Sequence, residues 1–109
     1  MKSTTEQVGQ KLRASIRSAR EQKWNLVVAT LCGSKLGQNY CCAVGSVAID
    51  LPEGAPRLVT ISERLGIGLG DVISIAVGFD GSVPNLEFIE QEWYDLGVQL
   101  RNEVKAGTL

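Results

Sequence analysis

The run Val72-Ile73-Ser74-Ile75-Ala76-Val77-Gly78-Phe79 constrains this chain more than any other feature. Asp71 before it is well placed at the positive end of a helix, and Asp80-Gly81-Ser82 after it is a stop signal. The segment therefore reads as a helix that is apolar nearly all round, and such a helix must be covered on more than one side. The chain has 109 residues, about one domain (1–109), and small domains have little surface with which to cover anything. Either this helix is the hub of the bundle, or one of its faces meets a second copy. Gly78 permits a close backbone approach in both cases. The candidate interface residues are Val72, Ile73, Ile75, Ala76, Val77 and Phe79.

Composition narrows the function classes. With 44% hydrophobic and 21% charged residues, the chain is not a disordered tail. A net charge of −1 gives no whole-chain attraction to nucleic acid or anionic lipid. The absence of histidine removes the usual neutral-pH base and the commonest metal ligand. The first residues lack the apolar run of a signal peptide, and the densest apolar stretches, 24–32 and 72–79, fall short of the ~20 residues needed to span a bilayer. Three cysteines, an odd number, fit a reduced, cytoplasmic protein.

Two long helices and two short ones are expected. The first runs over about 4–23, opened by a capping box at Ser3-Thr4-Thr5-Glu6, with Val8, Leu12, Ile16 and Ala19 on one face. A second capping box at Thr60-Ile61-Ser62-Glu63 opens a short helix closed by Gly66 as a left-handed cap. The apolar helix follows Gly68 or Gly70. The last begins near Pro84 and carries Leu86, Ile89, Trp93, Leu96, Leu100 and Val104 in one seam. Between the first two helices, residues 26–32 and 39–42 are β-prone around a turn at 33–37, and residues 43–49 could extend a strand or form a short buried helix. The expected fold is mainly α, a compact bundle of about four helices with a small β-hairpin at about 26–42. The alternative is α+β.

Few residues point to chemistry. Ile61, Leu65, Ile67, Val72 and Ile75, with Gly66 at the turn, match helix-turn-helix spacing. A recognition helix needs donors for phosphates and base edges, however, and no Lys or Arg lies between Gly66 and Asp80. The glycine-rich stretch 66–71 lacks the Gly-Lys-Ser/Thr of a phosphate loop. Three cysteines without histidine fall short of a structural zinc site. Cys41 and Cys42 are the candidate reactive thiols, with Lys35 the nearby cation. Glu87, Glu90, Glu92 and Asp95 read as a solvated helix face, and Arg13, Arg17 and Arg20 as a basic stripe that packs against an acidic helix or faces water. No catalytic residue, cofactor or metal is assigned.

Cys42-Ala43-Val44-Gly45, Leu65-Gly66-Ile67, Gly78-Phe79-Asp80-Gly81, Tyr94-Asp95-Leu96-Gly97 and Leu100-Arg101 together resemble small uncharacterised bacterial proteins carried on mobile elements and integron gene cassettes. The likeness covers about residues 40–101. It implies a compact, mostly helical domain with no known catalytic residues. The β-prone lead-in at 24–40 departs from that pattern. The expected function is a small cytoplasmic binding or regulatory protein that acts through protein–protein contacts, as a homodimer or on another protein partner. The alternatives are a small-ligand-binding or thiol-dependent enzyme with a pocket between helices, and a helix-turn-helix-like DNA-binding regulator. Neither nucleic acid nor membrane is an expected partner.

Overall fold

The computed structural model describes residues 3–27, 32–52, 54–81 and 89–109. Its helices are α1 (Thr5–Glu21), α2 (Arg57–Leu65), α3 (Leu69–Asp80) and α4 (Gln91–Lys105). Between α1 and α2 lie strands β1 (Asn25–Leu26), β2 (Cys32–Lys35) and β3 (Gln38–Cys41), then a 3-10 turn at Gly45–Ala48. The strands form one sheet in the order β1-β3-β2, with β3 antiparallel to β2 and parallel to β1. The result is a mainly α fold with a small sheet.

The apolar helix is the hub of the monomer. In α3, Val72, Ile75 and Phe79 are buried in the common core with Leu12 and Ile16 of α1, Ile61 and Leu65 of α2, and Trp93 and Leu100 of α4. Its most extensive packing is against α4. Two glycines make that crossing close. A Cβ on Gly78 would stand 2.2 Å from the Tyr94 carbonyl oxygen, and one on Gly97 2.1 Å from that of Ile75. Both helices present bare backbone where they cross, so the flanking side chains interdigitate at short range. The polar member of the apolar run is also provided for: the fully buried Ser74 Oγ donates to Gly70 O at 2.8 Å and accepts from the Glu90 N–H at 2.9 Å. That second bond fixes the entry to α4.

Several boundaries differ from the sequence reading. The capping box of α1 is Thr4 with Gln7, one residue further on than Ser3 with Glu6. The Ser3 N–H donates instead to Gly66 O, which ties the start of α1 to the α2–α3 corner. Helix α2 starts after Pro56, so Thr60 lies inside it, with its hydroxyl donating to Pro56 O rather than capping. Gly66 is the left-handed cap expected, with φ 70°, and Gly68 precedes α3, its N–H donating to Asp71 Oδ2. Within residues 43–49 the chain makes the short 3-10 turn Gly45–Ala48 rather than more strand. Helix α4 begins at Gln91, which leaves Ile89 outside it, while Pro84 and Leu86 lie outside the described residues.

Charge serves packing at the α1–α4 contact. Arg13 holds Glu103 through two bonds of 2.8 and 2.7 Å, and Arg20 donates to Leu109 O. Of the basic stripe of α1, Arg13 thus meets an acid of α4, Arg20 meets a backbone carbonyl beyond the end of that helix, and Arg17 is exposed.

Candidate functional site

The most informative corner is the hairpin. Leu36 and Gly37 both have positive φ, 53° and 77°, which makes a two-residue primed turn. That turn sets the pairing Lys35↔Gln38, Ser34↔Asn39, Gly33↔Tyr40 and Cys32↔Cys41. The turn is therefore confined to 36–37, and Gly33 and Ser34, expected in a turn at 33–37, belong to a strand. The part of the expected first strand at 28–31 lies outside the described residues. Strand alternation puts Cys32, Ser34, Asn39 and Cys41 on one face of the hairpin.

Beside that face runs a cleft of about 380 Å³, lined among others by Cys32, Ser34, Asn39, Trp24, Leu51 and Arg57. A second, more apolar cleft of about 470 Å³ is walled by Ala55, Pro56, Leu58 and Val59. Cys32 and Arg57 border both. The loop between them is clamped from α2: Arg57 Nη2 donates to Leu51 O at 2.9 Å, and Arg64 holds both oxygens of Asp50 at 2.6 and 3.0 Å.

The thiols divide by environment. Cys32 is half-buried, and its Sγ donates to Gly45 O at 3.3 Å. Burial raises its pKa, and the nearby positive charge of Arg57 offsets only part of that rise. Cys41 is fully buried and pushed up to about 12 by desolvation, with the neighbouring Cys32 and Cys42 adding to the rise. Cys42 is pushed up to about 11 by burial, against the Gly45 N–H that donates to its sulfur. Of the three thiols, Cys41 and Cys42, the two expected to be reactive, are buried, while Cys32, also raised by burial, is the more exposed and lies beside a cation. That cation is Arg57, not Lys35. Sequence reasoning missed both residues because Arg57 is 25 positions from Cys32. Among the described residues no group of three or more His, Cys, Asp or Glu side chains is arranged to hold a metal ion.

The interface candidates divide as well. Val72, Ile75 and Phe79 lie inside the monomer and have no surface left to offer, which corrects their assignment to an interface. Ile73, Ala76 and Val77 are half-buried. Among the described residues, the large apolar side chains that do face solvent are elsewhere: Leu36 is 94% exposed, Val59 and Leu69 46%, and Leu58 36%.

The helix-turn-helix spacing describes packing. Ile61, Leu65, Ile67, Val72 and Ile75 are all buried, and Ser62 Oγ donates to Ile67 O across the corner. Glu90, Glu92 and Asp95 are exposed, and Glu87 lies outside the described residues. Among the described residues no helix is long and apolar enough to cross a membrane. Comparison with protein-family models, with curated proteins and with solved structures finds no match.

Proposed function

We propose that this is a small binding protein that acts through protein–protein contacts, and that its first partner is a second copy of itself. The observation that carries the reading is Leu36. A β-turn position with positive φ favours Asn, Asp or Gly, and a leucine there costs roughly 1–2 kcal/mol of backbone strain. Leu36 is also 94% exposed, so little burial within its own chain offsets that strain. A strained, solvated leucine at the tip of a hairpin is suited to insertion into an apolar hollow on another molecule. The open, largely apolar depression lined by Ala55, Pro56, Leu58 and Val59 is the candidate seat. In a two-fold dimer each tip would enter the other copy's cleft.

Two leucines at roughly 1.5–3 kcal/mol each must work against at least about 4 kcal/mol of lost rigid-body freedom. The surplus is at most about 2 kcal/mol, a dissociation constant of roughly tens of millimolar for the tips alone, so burial of Leu58 and Val59 in each cleft must supply the rest of a weak dimer that forms at millimolar protein. Leu36→Asn is the test. It creates the preferred Asn-Gly turn, so it should raise stability by about 1 kcal/mol while abolishing association in sedimentation velocity. Association that survives Leu36→Asn would place the contact elsewhere, with Ile73, Ala76 and Val77 the next candidates. Lost stability would mean that Leu36 serves the monomer and would sink the reading.

A cytoplasmic setting and a mobile-element origin belong to the same proposal, and cassette-type neighbouring genes would support them. One observation favours a second reading, a ligand- or thiol-dependent site: Cys32 stands beside Arg57 in a cleft with Ser34 and Asn39. Faster alkylation of Cys32 than of a free thiol at neutral pH would move the balance toward it.

A further inference from the structure

The hairpin register places two thiols opposite each other. With Leu36-Gly37 as a two-residue turn, Lys35↔Gln38 is the closing hydrogen-bonded pair, and the ladder alternates from there. Ser34↔Asn39 is non-bonded, Gly33↔Tyr40 bonded, and Cys32↔Cys41 non-bonded. An independent bond agrees: Cys41 O accepts from the Val27 N–H at 2.8 Å, so that carbonyl turns toward β1 and away from Cys32. In a non-bonded antiparallel pair the Cα atoms stand about 4.5 Å apart with both side chains on one face. A disulfide accepts Cα separations of roughly 4.4–6.8 Å, so the pair sits at the short, strained and hence easily reduced end of that range.

We infer that Cys32 and Cys41 form a reversible intramolecular disulfide on exposure to a peroxide, a modification site that pins the two hairpin strands together. Cys32 is the half-exposed member beside Arg57 and meets the oxidant first, and Cys41 is the buried resolving thiol. In the first step the Cys32 thiolate attacks one peroxide oxygen. The S–O bond forms, the O–O bond breaks, and the leaving hydroxide takes up a proton to become water. In the second step the Cys41 sulfur attacks the Cys32 sulfenic acid. The S–S bond forms, and the sulfenic oxygen leaves with the Cys41 proton as a second water. Two thiols and one hydrogen peroxide thus give one disulfide and two waters, and a dithiol reductant reverses the change. Cys42 is the competitor, since the backbone of Gly45 links it to Cys32: the Cys32 thiol donates to Gly45 O, and Gly45 N–H donates to Cys42 Sγ. It is not in the cross-strand register.

The test is hydrogen peroxide treatment of the intact protein, followed by tryptic mapping without reductant. Cleavage after Lys23, Lys35 and Arg57 leaves Cys32 in one peptide and Cys41 with Cys42 in another. The expected product is the linked pair, lighter by two hydrogens, with fragmentation placing the bond at Cys41. The link should persist in Cys42→Ala. In Cys41→Ala it should vanish and leave a Cys32 sulfenic acid that a dimedone-type reagent traps. A bond located at Cys42, a bond joining two chains, or three thiols still alkylatable after treatment would each overturn the inference. Fragmentation of the wild-type product decides between Cys41 and Cys42 even if a variant does not fold.

Discussion

A methyl group on Gly97 has nowhere to go. Its position lies 2.1 Å from Ile75 O and 2.8 Å from Phe79 N, whereas real Cβ atoms essentially never come within 3.0 Å of a heavy atom beyond their own residue and its chain neighbours. Both obstacles are backbone, so no side-chain rotation relieves them. In Gly97→Ala, α4 must retreat from α3 by roughly 1 Å, and close-packed neighbours lose their contacts as it moves. Overpacking typically costs 1–3 kcal/mol, and a rigid backbone clash belongs at the upper end, about 3 kcal/mol. Alanine returns about 1 kcal/mol of helix propensity. The net loss is about 2 kcal/mol, or roughly 10 °C in Tm for a domain of this size. Gly78→Ala should behave alike, because its Cβ would meet Tyr94 O at 2.2 Å. The double variant should cost less than the sum, since one parting of the helices accommodates both methyls. Gly70→Ala is the control: nothing lies within 4 Å of its added Cβ, so propensity alone should hold or raise stability. Urea denaturation followed by circular dichroism measures all four. A Gly97→Ala protein as stable as wild type would refute the close crossing.

Other outcomes follow from the same packing and charges. Trp93, 1% exposed on α4, should cost about 3–5 kcal/mol when cut to alanine, read by chemical denaturation; under about 1 kcal/mol would contradict its burial. Arg13 holds the Glu103 carboxyl below its ordinary pKa, and Arg64 does the same for Asp50. Their contribution is therefore complete above the unfolded carboxylate range and is lost as pH falls through the lowered folded values. An acid titration of Tm should show a decline below about pH 4 that is shallower in Glu103→Gln, the pair being partly exposed and worth under about 1 kcal/mol. In alkylation, Cys32 should label in the native state, while Cys41 and Cys42 should label only after unfolding; early labelling of Cys41 would contradict the thiol assignment.

Sequence patterning revealed the helices because their three- and four-residue apolar spacing is what buries a stripe: Val8, Leu12 and Ile16, and Trp93, Leu96 and Leu100, all lie in the core. It did not reveal Gly97. A glycine inside a helix reads as a propensity cost, and its purpose appears only when the partner helix is laid against it. Gly78 was legible as a close-approach residue, but the chain it approaches was not. The capping box of α1 slipped by one residue because Ser3 and Thr4 are equally good caps, and a tertiary bond from Ser3 to Gly66 decides between them. At the hairpin, adjacent Cys41 and Cys42 attract notice, although neighbours along a strand face opposite ways. Reading Leu36-Gly37 as a two-residue turn would have paired Cys32 with Cys41 by counting outward. Leucine in the place of asparagine concealed that turn, and the same leucine marks the candidate contact.

A dilution series followed by amide NMR, from millimolar protein to a few micromolar, tests the binding account most directly. It predicts concentration-dependent shifts at Leu36 and Gly37 and at Ala55, Leu58 and Val59, with Ile73, Ala76 and Val77 unmoved, and all such shifts absent in Leu36→Asn. Shifts centred on Ile73, Ala76 and Val77, or spectra that do not change with concentration, would contradict it.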